Sequence, residues 1–259
     1  AVMAEVMDRF RLNGRTAIVT GIGPGVGEHV AKGLAAAGAK VVCAARTTSN
    51  IERVAREICE AGGEAIAVTT DVTVSEHLDR LVNETRRVYG PIHVVFNNAT
   101  AGIIPMEDGI WGNTTEVWQT AFAANVTSVF RLAELVFPDM QEHKKGSIIT
   151  VGSCGGYTPM LPGIAYGVAK AALNMLNRHL AKALAPAARV NQICIGSMTP
   201  DGVELEAHKG YNLTERNAIK RWGLAEEAVG AALLLASDAA TYTTGSTIFV
   251  EGGRVGTLS

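Results

Sequence analysis

The run TGIGPGVG, Thr20 to Gly27, lies between a short apolar segment and an alanine-rich segment of helical period. Four glycines alternate through it at positions 21, 23, 25 and 27. Glycine permits backbone turns closed to other residues and lets a partner approach the chain directly. The first N–H groups of the helix that follows have no partner within it and favour an anion such as phosphate. A strand-to-helix junction of this kind is where a dinucleotide-binding fold places its phosphate loop. The spacing is TGxxxGxG rather than GxGxxG, with Gly21, Gly25, Val26 and Gly27 expected against a cofactor. Pro24 has no N–H to offer. The competing reading, a glycine-rich turn without a ligand, is disfavoured by the position of the loop.

The rest of the chain repeats the same alternation. Strands are expected at Arg15–Thr20, Lys40–Ala45, Glu64–Thr69, Pro91–Asn97, Gly146–Gly152, Arg189–Ile195 and Ser246–Glu251. Helices are expected at Gly25–Ala37, Ile51–Ala61, from a Thr73/Glu76 capping box through Val88, from Asn113 to about Met140, from Gly163 toward Ala185, and at Glu226–Ser237. Strands that are apolar throughout belong to a parallel sheet covered on both faces. The pattern predicts an α/β, doubly wound Rossmann-type fold of about seven parallel strands flanked by helices. No linker or internal repeat divides the chain, so residues 1–259 are read as one domain with an N-terminal arm over 1–13. The segment 198–222 is too irregular for an ordinary connection and is expected to shape a site.

Composition narrows the function. The net charge is −2 with no run of Lys/Arg, which gives nucleic-acid binding no electrostatic support. No uninterrupted apolar stretch nears the 18–20 or so residues of a membrane span, and no secretory leader is seen at the start. Cys43, Cys59, Cys154 and Cys194 are widely spaced and read as free thiols of a cytoplasmic protein. The six histidines show no paired-ligand spacing, so no metal is expected. Around Ser153 the glycines do not form GxSxG, which argues against a hydrolase elbow.

Tyr166 and Lys170 lie four apart in a helical segment and so share a face. A phenol, with an ordinary pKa near 10, is a poor base at neutral pH. An ammonium beside it favours the phenolate, and the pair is expected to lower the pKa of Tyr166. Ser153 follows the fifth strand, at the carboxyl end of the sheet where open α/β folds build their sites.

Together these residues resemble the short-chain dehydrogenase/reductase family over nearly the whole chain. The glycine loop, Asp71, Asn97 to Ala99, Asn125, Ser153, Tyr166 and Lys170 occur in the family's order, and Ser153 precedes Tyr166 by the family's 13 positions. The resemblance implies an enzyme acting on a small carbonyl or alcohol substrate. It makes Tyr166 the proton donor or acceptor and Ser153 the residue that orients the substrate oxygen. Lys170 would tune Tyr166 and bind the nicotinamide ribose, and Asn125 would hold a relay water. It places Asp71 and Val72 at the adenine, Asn98 and Ala99 beside the ribose, and Gly196, Met198 and Thr199 near the nicotinamide. It also implies a homotetramer or homodimer, built on the long helices and the last strand. Two positions depart from the pattern. Thr100 stands where the family has glycine, with Gly102 two later, and Ile195 precedes Gly196 where the family has proline.

The second strand ends Ala44, Ala45, Arg46, Thr47, with no acidic residue at its tip. A guanidinium there can clamp a ribose 2′-phosphate, and Thr47 adds a hydroxyl. NADP(H) is therefore expected over NAD(H). The leading expectation is a carbonyl reductase, of 3-oxoacyl or other keto type. Enoyl reduction on the same scaffold and an NADP-binding regulator without turnover are the alternatives. The substrate is not encoded in any motif.

Overall fold

A computed structural model describes residues 2–104, 108–161, 163–203 and 213–255. Helix α1 (Val2–Asp8) occupies what the sequence suggests is an arm. The Arg9 guanidinium that follows donates to the Asp238 carbonyl at 2.9 Å. Strands β1 (Thr16–Thr20), β2 (Lys40–Ala45), β3 (Glu64–Thr69), β4 (Val94–Asn97), β5 (Gly146–Ser153), β6 (Ala188–Ile195) and β9 (Thr247–Val250) form one sheet in the order β3-β2-β1-β4-β5-β6-β9. Every pairing is parallel. Two further strands, β7 (Met198–Thr199) and β8 (Gly223–Leu224), pair separately in a short parallel ladder. These two were not expected, since strands of two residues leave no period to read.

Helices cover both faces because successive strand residues point oppositely. On one face Ala17, Val19, Val41, Cys43, Phe96 and Ile149 pack against α2 (Val26–Ala36), α3 (Thr48–Glu60) and α8 (Val229–Ala236). On the other, Ile18, Val42, Val95, Ile148 and Val190 meet α4 (Ser75–Tyr89), α6 (Ser128–His143) and α7 (Ile164–Leu184). The expected doubly wound architecture is the one found. The chain runs outward from β1 to β3 and then returns to lay β4 on the other side of β1. That reversal opens a crevice at the carboxyl ends of β1 and β4.

Several local expectations need correction. Thr73 does not cap α4, whose N-cap is Val74. Its N–H and hydroxyl both donate to Asp71 Oδ1 instead, at 2.9 and 2.7 Å. Helix α3 begins at Thr48, three residues before the expected Ile51. Thr114, not Asn113, caps α5 (Thr115–Phe122) by accepting from the Val117 amide. The Asn113 Oδ1 accepts from the Ala165 amide at the start of α7 instead.

Between α5 and α6 the helix widens into one π turn over Ala123–Thr127. The joined helix Thr115–His143 has 29 residues and a mean hydropathy of 1.2 in its most apolar window. It is long and apolar enough to cross a bilayer by length and composition alone, a test that the core helix of a globular protein also passes. Here its apolar face lies on the sheet, and ion pairs Arg86–Asp139 and Arg131–Asp79 join it to α4 at 3.1 and 2.7 Å.

Candidate active site

The crevice between β1 and β4 encloses about 260 Å³. Its walls come from the glycine loop (Gly21 to Gly23), the end of β2 (Ala45 to Thr47), Val72, and the backbone after β4 (Ala99 to Ala101). The loop and the β4 extension are tied together. Thr20 Oγ1 accepts from the amides of Asn98 and Ala99 at 3.1 and 3.2 Å, and Asn98 Nδ2 donates to the Gly21 carbonyl at 2.8 Å. Gly21 has φ +69°, and a Cβ there would lie 2.6 Å from Ala99 Cα. At Gly27 a Cβ would lie 2.7 Å from both the Asn98 amide nitrogen and the Gly21 carbonyl oxygen. Both glycines are thus required by the close approach of the Asn98–Ala99 backbone and side chain. Gly25, with φ 144°, is the N-cap of α2 and Val26 its first residue, so the helix begins directly after the loop, although residues 25–27 do not line the crevice. This cradle fits the pyrophosphate of a dinucleotide.

At the far end of the crevice Arg46 and Thr47 are exposed. Thr47 is the N-cap of α3 and its hydroxyl makes no capping bond. The earlier start of α3 therefore sets the positive end of a 13-residue helix beside Arg46. Asp71 lies close by, turned into its own loop through Thr73. Burial acts to raise its carboxyl, but the Thr73 hydroxyl and amide, helped by Arg46 and His77, hold it below the usual value. Val72 lines the crevice and Asp71 does not. Asn98 likewise serves the glycine loop, while Ala99 reaches the lining.

The proton-handling group lies farther along. Ser153 ends β5, and its Oγ accepts from the Gly155 amide at 3.2 Å. Tyr166 and Lys170 share one face of α7 and are 9% and 3% exposed. The Lys170 ammonium lies over the Tyr166 ring, 5.5 Å from its centroid, and donates to the Val151 carbonyl at 2.8 Å. This corrects the expected electrostatics. Burial is the dominant effect on the phenol and pushes its pKa up, opposed by the Ser153 and Thr100 hydroxyls. Burial also pushes Lys170 down from 10.5 to about 7. Its ammonium is directed at the Val151 carbonyl, and burial sets the direction of the Tyr166 shift.

The folded pKa of Lys170 lies below its unfolded one. Between about pH 7 and 10.5 the unfolded chain therefore binds the extra proton, and this group's contribution to stability grows with pH. It is fully present above the unfolded value and lost as pH falls through about 7. Lys170→Met is expected to raise the melting temperature at pH 7 and flatten the rise in stability between about pH 7 and 9. An unchanged slope in melts of the variant would refute this.

Asn125 lies in the π turn and is 1% exposed. Its Nδ2 donates to the carbonyls of Ala101 and Ala121 at 2.9 and 2.8 Å, and its Oδ1 accepts from Thr100 Oγ1 at 2.7 Å. The departure at Thr100 thus brings in a side chain, and the glycine requirement has moved to Gly102. That residue has φ +86°, and a Cβ on it would lie 2.8 Å from Ala121 Cα. Beyond β6, the Gly196 amide bonds Val250, and Met198 and Thr199 form β7. The Thr199 hydroxyl donates to Val203 at 3.0 Å rather than pointing along the crevice. Part of the 198–222 segment, residues 204–212, lies outside the described residues, as do 105–107 of the loop after β4. Sequence reasoning did not assign roles to Thr100, whose hydroxyl direction no spacing encodes, or to the Val151 carbonyl, which as backbone leaves no residue signal.

A phosphate cradle at a sheet reversal, with a buried tyrosine and lysine beyond it, defines a dinucleotide-dependent oxidoreductase. A family profile described as enoyl-(acyl carrier protein) reductase matches residues 21–254. The 7alpha-hydroxysteroid dehydrogenase of Escherichia coli K12 is 31% identical over 260 residues, covering 97% of this chain and 98% of its own. A solved 7alpha-hydroxysteroid dehydrogenase complexed with NADH and 7-oxo glycochenodeoxycholic acid superposes with a TM-score of 0.87 at 31% identity, covering 98% and 99% of the two chains. A gluconate 5-dehydrogenase from Burkholderia cenocepacia, in complex with NADP and tartrate, gives 0.86 at 28%, covering 97% and 99%. The chain belongs to the short-chain dehydrogenase/reductase family, NAD(P)-dependent oxidoreductases that act on CH–OH groups.

Proposed function

We propose that this chain is an NADP(H)-dependent carbonyl reductase, interconverting a ketone and a secondary alcohol. The observation that carries the reading is the buried Tyr166 with Lys170 over its ring on one face of α7, and Ser153 at the end of β5. When bound, the nicotinamide would supply the hydride that reduces the carbonyl carbon. Ser153 orients the substrate oxygen, and Tyr166 delivers a proton to that oxygen, or takes it back in the alcohol-oxidising direction. Lys170 binds the ribose, and Asn125 keeps the floor of the site in place while supporting a proton path to solvent. Gly21, Gly25, Val26 and Gly27 hold the pyrophosphate, with Ala99 and Val72 along the ribose and adenine. Gly196, Met198 and Thr199 flank the nicotinamide end. Arg46, Thr47 and the start of α3 select the 2′-phosphate.

The profile's description points to enoyl reduction as a second reading. A proton donor flanked by a serine hydroxyl suits a substrate oxygen better than an alkene carbon, and the YxxxK spacing supports the carbonyl reading. The experiment is a screen of ketones, including 3-oxoacyl esters, and enoyl esters with NADPH oxidation followed at 340 nm or so. Turnover of ketones, lost in Tyr166→Phe, supports the proposal; turnover of enoyl esters alone refutes it.

The family's oligomers suggest a homotetramer or homodimer of a single-domain, cytoplasmic chain. Phe130 on α6 and Met175 on α7, 53% and 51% exposed, are large apolar groups that a second copy would cover. Light scattering is expected to give a mass of two or four chains, and a monomer would rule this out. All four cysteines are free, as a reducing compartment requires.

A further inference from the structure

We infer that Asn50 is a specificity-determining residue: its side-chain amide donates to the 2′-phosphate of the cofactor, beside Arg46. The inference rests on the reading that the crevice takes NADP(H). Asn50 stands in the first turn of α3, with its backbone N–H donating to the Thr47 carbonyl at 3.1 Å. It lines the crevice together with Gly23, Arg46 and Thr47. A Cβ on Gly23 would lie 3.9 Å from Asn50 Nδ2, so the amide reaches from α3 toward the glycine loop. The loop offers no side-chain donor in return, since its residues there are Gly23 and Pro24. The proline lacks even a backbone N–H.

Asn50 is half-buried, and its amide has no hydrogen bond among the described residues. The polar side chains around it are committed elsewhere. The Thr48 hydroxyl bonds that of Thr69 at 2.8 Å, and the Thr73 hydroxyl donates to Asp71. Arg53, one turn further along α3, pairs with Glu28 and Glu57, and Lys32 meets the same two carboxylates at 2.7 Å each. Two cations and two carboxylates cancel, so this cluster brings no net charge to the crevice. A phosphate monoester presents three strong acceptor oxygens. The Arg46 guanidinium can serve two of them, which leaves a place for a neutral donor. The residue type fits that place. The first turn of a helix favours negative charge, so α3 alone would be better served by an aspartate of the same shape. The asparagine forgoes that gain and sets a donor where a carboxylate would repel the phosphate.

The test is titration calorimetry of the whole chain with adenosine 2′,5′-bisphosphate and adenosine 5′-monophosphate, which differ only in the phosphate at issue. Asn50→Ala is expected to weaken binding of the bisphosphate about tenfold and that of the monophosphate less than about twofold. Asn50→Asp keeps the shape and exchanges the donor for a charged acceptor. It is expected to weaken the bisphosphate about a hundredfold and to melt no earlier than the wild type. The alanine variant gives the reading if the aspartate variant misfolds. Because the amide carries no charge, the loss in Asn50→Ala should not shrink as salt rises, unlike the loss at Arg46. Equal weakening of both nucleotides would assign Asn50 to the ribose hydroxyls or adenine that they share. A preference for the bisphosphate that survives intact in both variants would leave the amide without a phosphate. Either result overturns the inference while the NADP(H) reading stands. A wild-type protein that binds the two nucleotides equally overturns that reading and the inference with it.

Discussion

Tyr166→Phe is expected to lower kcat for ketone reduction by about 10²–10⁴ while leaving affinity for NADPH far less changed. The phenylalanine fills the same space beside Ser153, so the packing of α7 on β5 is preserved and only the hydroxyl is lost. No neighbour can replace it. Ser153 has a hydroxyl of much higher pKa and already accepts from the Gly155 amide. The Thr100 proton is directed at Asn125, and Lys170 is anchored on Val151. Single-turnover kinetics with NADPH bound first separate the chemical step from binding. Retention of more than about a tenth of the wild-type rate would mean that another group supplies the proton, and the site as assigned would be wrong.

Arg46→Asp is expected to raise KM for NADPH by about 10²–10³-fold and to leave KM for NADH within a few-fold. A hydrogen bond to a charged group contributes about 1.5–3 kcal/mol. The substitution removes it and sets a second carboxylate beside Asp71, where the two would repel a 2′-phosphate. The amide end of α3 remains in either variant, so the loss is large but bounded. Because Arg46 is exposed, part of its attraction is screened, and the ratio of the two KM values should narrow as salt rises. Equal rises for both cofactors would show that Arg46 serves the fold or the adenine rather than the phosphate.

The large elements were legible because their signal is redundant. All five residues of β1 are buried between two helical layers, so its centre Ala17–Val19 is apolar, with buried Thr16 and Thr20 at its ends. The glycine loop was legible for the same reason: two of its glycines, Gly21 and Gly27, both answer to Asn98 and Ala99 in the fold. What escaped depends on single polar atoms choosing among neighbours. Thr73 had Glu76 at capping distance in sequence, but Asp71 offered a closer carboxylate. Thr100 looked like a steric departure until the π turn brought Asn125 Oδ1 above it, and nothing in the 123–127 sequence announces that turn. The direction of the Tyr166 shift was missed because a helical spacing of four says nothing about depth. Tyr166 and Lys170 are both buried, and desolvation sets the direction of the phenol's shift.

The short ladder between β7 and β8 has a consequence for how new specificities arise on this frame. It pairs Met198 with Gly223 and Thr199 with Leu224, so whatever joins the two strands starts and finishes at a fixed gate-post pair. Doubling the length of such a connection adds only about 0.6 kcal/mol of closure entropy. A change of length between the posts therefore costs little closure entropy, while Ile219, whose amide donates to the Gly252 carbonyl, ties the end of that stretch to the chain after β9.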